Sequence, residues 1–162
     1  GGIVRIMPNL AAAIGKSPLA LSARGVDGRL RNEVDALLAP LGTVEWLEDE
    51  GLFDAVTALS GCGPAFVYRF IDALAAGAAA LGVEKGQAQR LALATVEGAS
   101  LLASASPHAP GELARRVASP GGSTQAGLDV LDANSALATV VAVAMEAAEK
   151  RSAEMGREAR GG

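Results

Sequence analysis

The sequence predicts a mainly helical protein opened by a short α/β segment, and three observations point that way. From about residue 50 onward, apolar residues recur at three- and four-residue spacing, the period of helices that bury one face. Short runs rich in β-branched residues, the mark of strands, lie before residue 50. Alanine dominates the second half, while aromatic residues make up only 3% of the 162. Such helices can approach closely but bury little area per side chain, so a second copy of the chain is the natural cover for their faces.

Ile3–Ile6 is a short β-branched run stopped by Pro8, and Leu19–Ser22 and Thr43–Leu47 are similar strand candidates. Between the last two, a helix is predicted from Asp27 as N-cap, with Leu30, Val34, Leu37 and Leu38 on one side, ending before Pro40 and Gly42. Residues 1–50 therefore read as the tail end of an α/β sheet, since three short strands make a poor independent domain. A short helix over Leu52–Leu59 is expected to be closed by Ser60-Gly-Cys-Gly63, with Gly61 and Gly63 permitting a sharp bend. Pro64 suits the first turn of the next helix, whose stripe is Phe66, Phe70, Leu74 and Leu81, and Gly82 ends it. The helix from about Glu84 to Ala105 is apolar on most sides, so it should be buried on most sides. Pro107 and Pro110 bracket a loop, followed by short helices over 112–117 and 123–131. A last helix, capped by Asn134 or Ser135, runs to Met155 or beyond with a charged, solvated end.

Composition narrows the function classes. A net charge of -4 with scattered basic residues offers no broad positive field, so nucleic acid is not an expected partner. One cysteine and one histidine exclude an internal disulfide and leave no cluster for a metal. Reducing cytoplasm fits this usage. The longest apolar stretches are interrupted by Arg69, Asp72, Arg90 or Glu97, and no signal-peptide pattern opens the chain. No membrane span is expected.

Ser119-Pro-Gly-Gly-Ser-Thr124 runs into a predicted helix start. Its glycines open backbone conformations closed to other residues, and the following helix leaves N–H groups without intrahelical partners. The result is a socket for a carboxylate or phosphate, with hydroxyls from Ser119, Ser123 and Thr124 as further donors. The same spacing also describes an ordinary N-cap after a flexible turn. Ser60-Gly-Cys-Gly-Pro-Ala65 is a second glycine-rich break before a helix. Cys62 there reads as structural, because His108 is the only histidine available as a base and sits in its own proline-bracketed loop. Met7-Pro8-Asn9 follows the first strand, and α/β folds bind ligands outside the carboxyl ends of strands. Glu97 is a lone charge in an apolar helix, suited to an arginine across an interface or to a partly exposed position. No G-x-G-x-x-G follows a strand, so a nucleotide-binding βαβ unit would have to lie outside these residues.

Taken together, Met7-Pro8-Asn9, the run Asp54–Ala65 (Asp-Ala-Val-Thr-Ala-Leu-Ser-Gly-Cys-Gly-Pro-Ala), and Ser119–Thr124 with Ala126-Gly-Leu128 resemble the pyrroline-5-carboxylate reductases. The resemblance implies a two-domain NAD(P)H enzyme that reduces the imine of 1-pyrroline-5-carboxylate to L-proline, the last step of proline biosynthesis. It implies that residues 1–50 are the end of a Rossmann-type nucleotide domain. Residues 51–162 would be a helical dimerisation and substrate-binding domain of the type found at the C-terminus of 6-phosphogluconate dehydrogenase. Ser119, Gly121, Gly122, Ser123 and Thr124 would hold the substrate carboxylate, with the Thr124 hydroxyl near the ring nitrogen as the catalytic group. Met7, Pro8 and Asn9 would lie beside the nicotinamide of NADPH or NADH, and the turn from Ser60 to Pro64 would help wall the site. The implied assembly is a homodimer or a larger ring of dimers with composite active sites, and the chain alone is expected to be inactive. A stand-alone helical dimerisation module, or a related reductase acting on another imine or keto acid, would share these features.

Overall fold

The β-branched runs become three strands: β1 (Ile3–Met7), β2 (Ser17–Arg24) and β3 (Gly42–Trp46). β2 is central, antiparallel to β1 with Ile3 opposite Arg24, and parallel to β3 with Ser17 opposite Gly42. Its consecutive residues Leu19, Ala20, Leu21 and Ser22 are all buried, so both faces of the strand are covered. The parallel pair needs a crossover, which α1 (Gly28–Leu38) provides. The Asp27 side chain caps that helix by accepting the N–H of Leu30 at 2.8 Å. Leu38 is buried and Val34 packs beside it against Leu19 and Leu21, whereas Leu30 and Leu37 of the expected stripe stay exposed. Complete burial of Leu19 and Leu21 contributes about 1.5–3 kcal/mol each.

The computed structural model describes residues 1–161, grouped in two compact units: Gly1–Pro64 with the chain from Ala142 onward, and Ala65–Val141. In the first unit, a 3-10 turn (Glu50–Leu52) leads into α2 (Phe53–Val56) and a π turn over Thr57–Gly61. Arg5 of β1 stacks on the Phe53 ring at 4.0 Å, and Arg5 and Arg24 both pair with Glu50, which ties this segment to the sheet. α3 (Gly63–Ala80) begins at once. The expected stop at Ser60–Gly63 is thus a widened helical turn rather than a sharp bend, and neither Gly61 nor Gly63 takes a left-handed conformation.

The second unit contains most of α3, then α4 (Lys85–Ala105), α5 (Pro110–Val117) and α6 (Ser123–Asp132). Ala75, Ala88 and Ala92 form its small buried cluster, with Ile71, Ala78, Ala79 and Val83 around them. α4 is capped by Glu84, whose carboxylate accepts the N–H groups of Gly86 and Gln87 at 2.8 Å each. Its broad apolar surface is not covered within the chain: Leu91, Leu93, Leu101 and Leu102 are exposed, as is Glu97. The apolar period identified the helix correctly, but the burial it implied on most sides is not met by the described residues, in keeping with the cover from a second copy that the alanine-rich composition suggested. Phe66, Phe70 and Leu74 of α3 are likewise exposed.

α7 (Ala136–Gly161) carries the same imbalance, with Val140 and Val143 exposed at 68% and 60%. By length and composition alone, the stretch Ser123–Ala159 is apolar enough to cross a membrane, and none of its apolar window is buried. It is not one continuous helix. Asn134 and Ser135 take φ of 52° and 56°, so they break the chain between α6 and α7 instead of supplying the expected side-chain cap. Asparagine tolerates this left-handed region through local hydrogen bonding, whereas serine gains less there. Toward its end, in the first unit, the Ser152 hydroxyl donates to Asp54 at 2.7 Å, fixing α7 to the start of α2.

Candidate functional site: a glycine turn and the end of the first strand

Pro120 and Gly121 occupy the two central positions of a turn closed by the Gly122 N–H, which donates to the Ser119 carbonyl at 2.9 Å. Gly121 has φ of 71°, the conformation that a type II turn requires at its third position and that glycine adopts without steric cost. Gly122 is needed for a different reason: a Cβ there would lie 2.7 Å from Ser119 Oγ and 3.0 Å from the Ser119 carbonyl oxygen. Gly122 is also the N-cap residue of α6, and no side chain caps this end. The Ala126 N–H closes the first helical bond on the Gly122 carbonyl at 3.1 Å. That leaves the N–H groups of Ser123, Thr124 and Gln125 pointing out of the helix without intrahelical acceptors. Ser119, Ser123 and Thr124 are exposed, and among the described residues none of their hydroxyls has a hydrogen-bond partner. The combination is three aligned amides, three hydroxyls and the positive end of the helix dipole. Chemically it suits a small anion with a second polar atom nearby.

Arg115 and Arg116 form the last turn of α5, just before this loop in sequence. Arg116 pairs with Glu112 at 2.9 Å, and the same carboxylate lies 3.3 Å from His108 Nδ1. His108 therefore serves the start of α5 rather than standing free.

In the first unit, the end of β1 meets the π turn. Asn9 makes four hydrogen bonds: its N–H donates to Ser17 Oγ at 2.9 Å, its carbonyl accepts the Ala12 N–H at 3.1 Å, its Oδ1 accepts the Ala11 N–H at 2.9 Å, and its Nδ2 donates to the Ser60 carbonyl at 2.8 Å. Ser17 is fully buried and passes its own proton to the Pro18 carbonyl at 3.0 Å. Met7 Sδ lies 2.9 Å from Thr57 Oγ1, whose single proton goes to the Phe53 carbonyl at 2.7 Å. Met7, Asn9, Thr57 and Ser60 are thus brought together from segments about fifty residues apart, with Pro8 exposed beside them. Sequence reasoning placed Met7–Asn9 and Ser60–Pro64 in separate roles and missed Ser17 and Thr57; the shared signal was the residue types, with no local spacing to join them. Cys62, half-buried, directly follows the π turn.

Residues 50–155 match the family described as pyrroline-5-carboxylate reductase dimerisation. The chain belongs to that family. It is 43% identical over 140 residues to pyrroline-5-carboxylate reductase of Aquifex aeolicus (strain VF5), a match covering 86% of this chain and 52% of that relative. Among solved structures, a pyrroline-5-carboxylate reductase from Coxiella burnetii superposes with a TM-score of 0.90 at 32% identity, covering 95% of this chain and 57% of that one. The Plasmodium falciparum pyrroline carboxylate reductase, solved with NADP bound, gives a TM-score of 0.80 at 31% identity, covering 96% and 59%. The chain spans about half the length of the curated relatives it matches. Its mainly helical architecture with a small three-stranded sheet is that of this reductase family.

Proposed function

We propose that the intact protein containing this chain reduces the imine of 1-pyrroline-5-carboxylate to L-proline with NADPH or NADH in the cytoplasm. In this reading residues 1–50 end the nucleotide domain, and residues 51–162 supply the substrate turn and the subunit interface. The observation that carries it is the uncapped, glycine-shaped turn Ser119–Thr124 in a chain of this family. The substrate carboxylate sits on the N–H groups of Ser123, Thr124 and Gln125, with Gly121 and Gly122 giving the close approach. The Thr124 hydroxyl hydrogen-bonds the ring nitrogen, which gains a proton as the ring carbon is reduced. No nucleophile or metal is required of this chain, because imine reduction needs orientation, a hydrogen-bonded nitrogen and exclusion of water.

The nicotinamide cofactor supplies the hydride when bound. Its fit to this chain is partial: exposed Pro8 and half-buried Met7 close the carboxyl end of β1, where α/β folds hold such ligands, while a phosphate-binding glycine fingerprint does not occur in these residues. Support for the cofactor class comes from the Plasmodium falciparum relative, whose structure contains NADP. Met7 and Pro8 face the nicotinamide in this assignment, and Asn9, whose side chain already serves Ala11 and Ser60, holds them in place.

The exposed apolar faces of α3, α4 and α7 support a homodimer, or a ring of dimers, in which a second copy would cover them. Sedimentation of the intact protein should give a dimer or a multiple of it. Oxidation of NADPH or NADH should depend on 1-pyrroline-5-carboxylate with the intact protein and be undetectable with residues 1–162 alone. Failure of the intact protein to turn over this substrate, with turnover of a six-membered cyclic imine acid instead, would reassign it to a related imine reductase.

A further inference from the structure

Ser60 lies four residues before Pro64. In an α-helix the carbonyl of residue i accepts from the N–H of residue i+4. Pro64 has no N–H, and a proline ring also crowds the carbonyl four residues back. The Ser60 carbonyl therefore has no donor inside the helix, and Ser60 is itself buried, so water is a poor substitute. The chain widens at this place: the Cys62 N–H donates to the Thr57 carbonyl at 2.9 Å, five residues back, within the π turn Thr57–Gly61. The donor that reaches the Ser60 carbonyl comes from 51 residues away, the Nδ2 of Asn9 at 2.8 Å.

We infer that Asn9 is a positioning residue whose carboxamide stands in for the amide that Pro64 lacks, locking the Met7–Pro8 strand end to the π turn. This rests on the proposed reductase function, in which Met7 and Pro8 lie beside the nicotinamide. The residue type follows from the geometry. One short side chain must donate to Ser60 and accept from Ala11 at the same time, while its backbone N–H is held by buried Ser17. A hydroxyl has one atom for both tasks, a carboxylate has no donor, and glutamine is one methylene too long. Asn9 and Pro64 are consequently a matched pair: proline creates the unpaired carbonyl that asparagine fills.

The pairing predicts a pH signature and a coupling. In the intact protein, Asn9→Asp puts a carboxylate against the Ser60 carbonyl, and protonation of the introduced carboxyl restores the missing donor. The direct partners Ala11, Ser17 and Ser60 carry no charge, and Lys16, the neighbouring charged residue in sequence, is exposed. The expected result at neutral pH is a fall in kcat of at least tenfold with little change in KM for the imine acid. That deficit should shrink, relative to the unsubstituted protein, as pH falls toward the carboxyl range. In a Pro64→Ala background, where residue 64 again has an N–H, the loss of melting temperature caused by Asn9→Asp should be at most half that in the Pro64 protein. Additive melting-temperature losses would overturn the inference, as would a pH-independent kcat deficit or an unchanged kcat. Melting temperatures need no turnover, so a coupled pair in a protein that does not reduce pyrroline-5-carboxylate would fault the proposed reaction and not the Asn9–Pro64 match. Should Pro64→Ala fail to fold, the Asn9→Asp pH profile decides alone.

Discussion

If the proposed reaction holds, Gly122→Ala should weaken the intact protein's turnover in proportion to what the substrate carboxylate contributes. The added Cβ would sit 2.7 Å from Ser119 Oγ and 3.0 Å from the Ser119 carbonyl oxygen. The hydroxyl can rotate away, but the carbonyl belongs to the turn that the Gly122 N–H closes at 2.9 Å, so the backbone must shift by several tenths of an ångström. That shift moves the first amides of α6. Loss of one hydrogen bond to a charged group is worth about 1.5–3 kcal/mol, which corresponds to a fall in kcat/KM of roughly 10- to 150-fold. The assay is steady-state reduction by the intact protein of 1-pyrroline-5-carboxylate and of 1-pyrroline, which has the same imine and no carboxylate. The loss should appear on the first substrate and stay within about threefold on the second, because in the proposed assignment only the first uses the socket. Equal losses on both would show that the substitution damages the site generally, and the carboxylate assignment would fall.

Thr124→Val should lower turnover by on the order of tenfold or more at saturating substrate, as for one catalytic hydrogen bond; an unchanged kcat removes the hydroxyl from the chemistry. Ser135→Gly should stabilise the protein by about 0.5–1 kcal/mol, since Ser135 holds φ of 56° and glycine avoids the left-handed penalty at some cost in chain entropy; calorimetry reading a lower melting temperature would contradict it. The N–H groups of Gly86 and Gln87 hold the Glu84 carboxyl below its ordinary value of 4.5. A lowered folded value means stability that is present above the ordinary value and lost as pH falls through the folded one. Glu84→Gln should therefore flatten the decline in melting temperature below about pH 4.5, and an unaltered acid limb would exclude this cap as a contributor.

Much of the fold was legible because it rests on local chemistry. Asp27 announced α1 through its spacing to Leu30, and the β-branched runs announced three strands, since both signals act over a few residues. The Ser119–Thr124 turn was legible for the same reason: Pro then Gly at the centre of a turn before a helix leaves few backbone solutions. The π turn was not. Gly-Cys-Gly-Pro reads as a stop, yet the chain widens into a π turn whose Ser60 carbonyl meets Asn9, a contact 51 residues away that no period encodes. Asn134 and Ser135 have the composition of a helix cap but adopt left-handed backbone, a choice between two local uses of the same residue types. The apolar faces of α3 and α4 were recognised as faces, while periodicity carries no information on whether the same chain or another covers them.

The central assignment is tested most directly by a crystal structure of the intact protein with the proposed product, L-proline, bound. The proline carboxylate should lie about 2.7–3.1 Å from N–H groups at the start of α6, with the ring nitrogen in hydrogen-bond reach of the Thr124 hydroxyl. A proline carboxylate bound away from Ser119–Thr124 would contradict the assignment.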